Sequence, residues 1–247
     1  MTDGGAVSTI LREIRPEVIL HCAAFTKVDA AEASEHEASQ LNAGSVVRIA
    51  EIATEIEATL VYPSTDYVFD GNSSNEYREE DDTNPLSVYG RTKLQGEMAA
   101  QESKRYLIVR TSWVFGAGHN FIMSILRAGT EKDELQVVAD QVGRPTYALD
   151  LAGGILDLLD AKARGTFHLA GGGSPCSWAD LAEHALRHKD LDTKVIRVST
   201  AEFFAGREGA IAPRPAFTSL DCSKAASLGV ALRPWQQAVD EYLKEAA

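Results

Sequence analysis

The chain has 247 residues, 45% hydrophobic and 24% charged, with a formal net charge of −12 at pH 7. That length can bury a substantial core, and the negative balance argues against nucleic acid or an anionic membrane as partner, since both demand a basic surface. Apolar runs such as Val18 to Leu20 and Val46 to Val47 fall far short of the roughly 18 residues of a membrane span, and no signal-peptide layout opens the chain, so a cytoplasmic location is expected.

Residues 6 to 14 place apolar side chains at helical spacing until Arg15-Pro16, and Val18-Ile19-Leu20-His21-Cys22 then reads as a buried strand. Helical pattern follows from about 29 to 56, interrupted near Asn42-Ala43-Gly44. Thr59-Leu60-Val61-Tyr62 predicts a second strand ending at Ser64-Thr65-Asp66. After the Asp70-Gly71 turn comes a polar loop in which Glu79-Glu80-Asp81-Asp82 reads as solvated. Asn84 as N-cap and Pro85 in the first turn predict a helix to about Ser103, with Tyr89 and Lys93 one turn apart on one face.

Leu107-Ile108-Val109 is a third apolar run, leading into Arg110-Thr111-Ser112-Trp113. A helix near 120 to 129, a strand near 135 to 138, a helix over 149 to 161 and a strand at Thr166-Phe167-His168-Leu169 follow. Alternating strands and helices, the strands apolar without alternation, predict an α/β fold: a parallel sheet covered on both faces. From about 171 the pattern turns to short helices, Pro213, Pro215, Trp178 and Trp235, with no further long sheet expected. The division is therefore a nucleotide-binding domain over 1–170 and a smaller substrate-binding cap over 171–247, with 131–147 contributing to the cap. Function belongs beyond the carboxyl ends of the strands, at Ala23-Ala24, Ser64-Thr65 and Ser112-Trp113.

Tyr89, Lys93 and Thr65 supply a proton donor, a cation to tune it and a hydroxyl to hold a carbonyl, which is a set for reducing a ketone with a nicotinamide cofactor. A neighbouring ammonium and a cationic nicotinamide are expected to pull the phenol toward working pH. Residues 1 to 20 contain no glycine-rich strand-to-helix turn, so such a cofactor is expected to bind weakly or not at all. An anionic ligand would draw on Lys27, Lys93, Arg110, Arg144 or Arg214. Asn42 reads equally as a buried anchor or as a holder of catalytic water, and Trp113 as a stacking wall in preference to a core aromatic. His184 and His188 share a helix face without a third ligand, which favours surface histidines over metal. Three cysteines without C-x-x-C spacing read as free buried thiols.

Over essentially its whole length the chain resembles the dTDP-4-dehydrorhamnose reductases of the extended short-chain dehydrogenase/reductase group. The carriers are HCAAFTKVDAAE (21 to 32), LNAG (41 to 44), YPSTDYVFDG (62 to 71), NPLSVYGRTKLQGE (84 to 97), RTSWVFG (110 to 116), DQVGRPTYALDLA (140 to 152), HLAGGGSPCSW (168 to 178) and RPAFTSLDCSK (214 to 224). The resemblance implies a Rossmann-like sheet and NADPH-dependent reduction of the C4 ketone of dTDP-4-dehydro-L-rhamnose, with NADH as the other cofactor choice. Tyr89 would be the proton donor, Lys93 the ribose contact and Thr65 the ketone contact. Ala23, Ala24, Phe25, Thr26 and Ser64 would join Tyr89 and Lys93 in lining the cofactor, and Asp66, Tyr67 and Trp113 would join Thr65 on the dTDP-sugar.

The same resemblance implies a homodimer, and a magnesium ion at a dimer contact whose residues the sequence does not place. Ala30 stands where the family usually has a basic residue. Met1-Thr2-Asp3 aligns after the family's second strand, which leaves roughly 35 to 40 residues, about one βαβ unit, unmatched. A non-catalytic relative, such as the regulatory subunit of methionine adenosyltransferase, and a redox-neutral nucleotide-sugar epimerase are the competing readings.

Overall fold

The computed structural model describes residues 4–245; Met1, Thr2 and Asp3, with the alignment drawn through them, lie outside the described residues. Helix α1 (Gly4–Ile14) leads to β1 (Val18–Leu20), α2 (Val28–Ala33), α3 (Glu35–Ser39), a π-helical turn (Gln40–Gly44), α4 (Ser45–Glu55) and β2 (Thr59–Thr65). After a 3-10 turn (Asp66–Val68) come α5 (Val88–Gln101), β3 (Tyr106–Thr111), β4 (Val114–Phe115), α6 (Phe121–Gly129), β5 (Glu134–Val138), β6 (Val142–Gly143) and β7 (Thr146–Tyr147). The remainder is α7 (Ala148–Asp160), β8 (Gly165–His168), β9 (Cys176–Ser177), α8 (Trp178–His188), β10 (Lys194–Val198), α9 (Thr200–Phe204), α10 (Ser223–Ala226) and α11 (Trp235–Glu245).

The main sheet has the order β1-β2-β3-β8, every pair parallel. Its central strands are apolar at successive positions because both faces are covered. Leu60, Tyr62 and Ile108 pack with Val46, Ile49 and Ala53 of α4 on one face. Val61, Leu107 and Val109 pack with Leu151, Ile155 and Leu158 of α7 on the other. Each fully buried Leu or Ile here contributes about 1.5–3 kcal/mol. This is the expected Rossmann-like α/β arrangement, and it brings the ends of β2 and β3 together, with Thr65 opposite Thr111 in register.

Helix α5 lies unusually near the sheet. A Cβ on Gly96 would stand 2.1 Å from the Asn42 carbonyl oxygen and 2.2 Å from the Tyr62 hydroxyl, so only glycine lets helix, π-turn and β2 meet. The interruption read near Asn42-Ala43-Gly44 is that π-turn, one wide turn inserted between two helices.

Four expectations are corrected. Strand β1, read as buried over Val18 to Cys22, spans only Val18–Leu20 and buries Ile19 alone of the three, with Val18 39% and Leu20 48% exposed. The helix carrying Tyr89 begins at Val88, capped by the Ser87 hydroxyl, which accepts from Gly90 N–H at 3.1 Å. Asn84 instead donates to Asp70 at 3.2 Å, and the residue before a proline disfavours helical backbone, so Asn84-Pro85 lies outside the helix. The C-terminal part does contain sheet: β10 pairs in parallel with β5 over five residues, backed by Ala179 and Ala182 of α8. Its strand is only half-buried, so it carries no solid apolar run to announce it. Cys22 is exposed and Cys222 partly so, leaving Cys176 as the buried thiol.

Helices α6, α8 and α11 close a further core around Ile122, Leu126, Leu181, Leu186, Val239 and Leu243. Among the described residues no helix is long and apolar enough to cross a membrane.

Candidate active site

Strand β2 delivers Ser64 and Thr65 to its carboxyl end, and Asp66 and Tyr67 turn away in the 3-10 segment. The turn is held by Thr65, whose hydroxyl accepts from Tyr67 N–H at 3.2 Å and donates to Asp66 Oδ1 at 3.1 Å. Helix α5 brings Tyr89 alongside, its ring edge-to-face with Tyr67 at 5.7 Å. Gly90 makes this approach possible, since a Cβ there would stand 2.2 Å from the Tyr67 carbonyl oxygen.

Burial pushes the Tyr89 phenol up to about 12, and a hydrogen bond with Thr65 draws it partly back. The expected pull toward working pH is therefore absent in the protein alone, and the phenol is held as a protonated donor. Lys93, 3% exposed, reaches back to the sheet, where Nζ donates to the Pro63 carbonyl at 2.7 Å and sits 3.9 Å from the Tyr62 ring centre. Burial lowers it to about 7, with the Glu97 carboxylate opposing. A lysine so placed gains a full charge readily when negative charge develops nearby.

The run after β1 is fixed from below. Asn42 Oδ1 accepts from Phe25 N–H at 2.7 Å, while Nδ2 donates to the Phe25 carbonyl at 3.2 Å and to Thr92 Oγ1 at 2.9 Å. Both amide hydrogens are spent, so the Asn42 side chain is the buried anchor of the two readings. Ala23 and Ala24 are half-buried and Thr26 exposed. Phe25 packs in one cluster with Tyr89, over Ala31, Ala38 and Val88. The run and Tyr89 thus share one cluster, and a cavity of about 500 Å³ opens beside Phe25, between Val7 of α1 and Ile49 of α4. Thr111 Oγ1, register-paired with Thr65, is the one buried side-chain oxygen or nitrogen without a partner among the described residues. An orphan hydroxyl at the end of β3, in register with Thr65, suits a polar ligand.

Other residues singled out from sequence are committed to the protein itself. The Ser64 hydroxyl donates to Glu97 at 2.5 Å, and Glu97 pairs with Arg110 at 2.8 Å, both nearly fully buried. Arg144 donates to Ser219 Oγ at 2.9 Å, to the carbonyls of Gly171 and Gly173, and to Glu76. Arg214 pairs with Asp29 at 2.8 Å. Of the five cations considered for an anionic ligand, Lys27 remains exposed and without an ion pair among the described residues. Trp113 has φ of 48° and stacks face to face on Trp178 at 3.6 Å, so one side of the anticipated wall is already covered.

His184 and His188 both turn onto Asp240, at 2.8 and 3.0 Å, and join α8 to α11. Among the described residues no group of three or more His, Cys, Asp or Glu could hold a metal ion, so the magnesium expectation finds no support. Glu79 departs from a solvated run: it accepts from His168 N–H at 2.8 Å, while Glu80, Asp81 and Asp82 are exposed. Sequence reasoning missed Thr218, whose hydroxyl donates to Asp66 Oδ2 at 2.5 Å across 152 positions of sequence. It lies inside a quoted block, but no spacing rule links it to Asp66.

The model of the RmlD substrate binding domain family matches residues 1–247. The dTDP-4-dehydrorhamnose reductase of Sinorhizobium fredii is 39% identical, over 94% of this chain and 81% of its own length. The spore coat polysaccharide biosynthesis protein SpsK of Bacillus subtilis is 36% identical, over 94% and 80%. A crystal structure of dTDP-4-dehydrorhamnose reductase from Bacillus anthracis, in complex with NADP, superposes with a TM-score of 0.93 at 37% identity, covering 99% of this chain and 86% of that one.

Proposed function

Since the chain belongs to the RmlD substrate binding domain family, we propose that it reduces the C4 ketone of dTDP-4-dehydro-L-rhamnose to the alcohol of dTDP-L-rhamnose. It is an oxidoreductase acting on a keto sugar nucleotide, with NADP(H) as cofactor. NADPH in preference to NADH is our reading from the NADP complex of the Bacillus anthracis protein. The observation that carries the residue assignment is the Tyr89 phenol held beside the Thr65 hydroxyl, one turn of α5 from the buried Lys93.

In this reading Ala23, Ala24, Phe25, Thr26 and Lys93 would hold the cofactor, and the anchored Phe25 backbone keeps the run in place. The cofactor, when bound, supplies a hydride to C4. Tyr89 gives its proton to the ketone oxygen as negative charge develops there. Thr65 donates a hydrogen bond to the same oxygen, one that strengthens as the charge grows. Lys93 offsets the phenolate left behind. Its lowered pKa, about 7, means part of the population must first take up a proton near neutrality.

Ser64 contributes through its backbone, its side chain being engaged with Glu97. Tyr67 and Trp113 are assigned to the sugar-nucleotide side, and Asp66, its buried carboxyl engaged by Thr65 and Thr218, serves that side through its backbone. The substrate-binding part takes in 171–247 with 131–147, a division that the pairing of β5 with β10 supports.

The test is stoichiometric: NADPH consumed against dTDP-L-rhamnose formed from dTDP-4-dehydro-L-rhamnose. Equal amounts are expected. An isomeric keto sugar formed without NADPH loss would mean a redox-neutral epimerase, and tight binding of both ligands without turnover would mean a non-catalytic relative.

A further inference from the structure

Asp66 follows the catalytic threonine and is 2% exposed, a carboxyl group that must find donors inside the protein. It finds two hydroxyls. Thr65 occupies Oδ1 at 3.1 Å and Thr218 occupies Oδ2 at 2.5 Å. Thr218 itself is 2% exposed and cannot drift. Its N–H donates to the Val142 carbonyl at 2.9 Å, Val142 N–H returns a bond to Ala216 at 2.8 Å, and Tyr77 N–H bonds the Ser219 carbonyl at 2.9 Å. The segment 216–220 is thus laced to β6 on one side and to Tyr77 on the other, with one hydroxyl aimed at the catalytic turn.

The Thr65 hydroxyl has a single hydrogen. One acceptor for it is Asp66; on the cleft side stand the oxygen of Tyr89 and, when it is bound, the ketone oxygen. How strongly Asp66 holds the hydrogen depends on the charge left on its oxygens. A donor as close as Thr218 draws that charge toward Oδ2 and weakens the claim of Oδ1. We propose that Thr218 is a positioning residue for the reduction: acting through Asp66, it frees the Thr65 hydroxyl hydrogen to turn to the substrate carbonyl. Its contribution is made where negative charge develops on the ketone oxygen, so it falls on kcat and leaves ground-state binding alone. Thr218 touches neither reactant, and no substrate contact is assigned to it.

The proposal rests on the reductase reading, and the experiment keeps the two apart. Steady-state kinetics with NADPH and dTDP-4-dehydro-L-rhamnose are compared for the parent chain, Thr218→Val and Thr218→Ser. Thr218→Val is expected to lower kcat by about tenfold with both KM values within about twofold of the parent, and Thr218→Ser to recover kcat to within about twofold. Parental kcat in Thr218→Val overturns the proposal. So does an equal loss in Thr218→Ser, because the hydroxyl is then not what matters. A rise in KM at constant kcat overturns it too, as that assigns Thr218 to binding. Should Thr218→Val not fold, Thr218→Ala carries the same comparison. A parent chain that binds both reactants without turnover overturns the reductase reading, and this proposal with it.

Discussion

Tyr89 and Lys93 are neighbours on one helix face, yet burial moves them in opposite directions, because each disfavours its own charged form. The phenol goes up to about 12 and the ammonium down to about 7. Tyr89→Phe removes the proton donor while keeping the ring, and kcat is expected to fall by about 10²–10⁴ with NADPH affinity unchanged within about twofold, checked by turnover and by calorimetric titration. Lys93 also makes stability depend on pH. Its folded pKa, about 7, lies below its ordinary value of 10.5, so between these values the unfolded chain binds more protons and stability rises with pH. The cost of burying the ammonium is complete below pH 7 and fades toward 10.5. Lys93→Met should therefore gain stability relative to the parent at pH 6 and lose most of that gain by pH 10, read from urea midpoints. A gain independent of pH would show that Lys93 is not buried with this pKa.

Elements meet in this protein through polar links that sequence patterns do not reveal. Strand β3 and helix α5 are joined by the Arg110–Glu97 pair, 2.8 Å apart with both side chains nearly sealed from water. Glu97 also accepts from Ser64, and Arg110 reaches the Glu79 carbonyl at 3.4 Å. Removing one partner leaves a buried charge unpaired, which is far more costly than the pair itself is stabilising. Arg110→Met is expected to cost about 3–5 kcal/mol, and the addition of Glu97→Gln to return part of it, both measured by denaturant unfolding. Helix α5 as an element was legible from its pattern. Its start was not, because Asn84 found a partner in Asp70 and left the cap to Ser87. The π-turn showed in sequence only as an interruption; its role, to bring Asn42 against both Phe25 and Thr92, needed the packed helices.

At the scale of the whole molecule, Arg144 joins the C-terminal segment to the end of the main sheet. One guanidinium spans Glu76, Ser219 and the carbonyls of Gly171 and Gly173, with five donors in a fixed plane to do so. Arg144→Ala should cost about 2–3 kcal/mol. It should loosen the segment locally: amide exchange at Tyr77, Val142 and Thr218, whose N–H groups hold it, is expected to quicken while exchange in β2 and β3 does not change. Equal acceleration everywhere would show that Arg144 supports the fold as a unit.

The sequence by itself determined what depends on local chemistry. Apolar runs without alternation fixed a parallel sheet covered on both faces, helical spacing placed Tyr89 and Lys93 together, and quoted blocks along the chain carried the family. Side-chain period and motif spacing are properties of neighbouring residues, and no fold is needed to read them. Tertiary structure alone decided which groups are free to act. Ser64, Arg110, Arg144 and Arg214 look available in sequence and are engaged in the fold, because a buried polar group takes the nearest partner that packing supplies. It also decided the link from Thr218 through Asp66 to Thr65, since contact between residues 152 positions apart is set by the path of the chain through space.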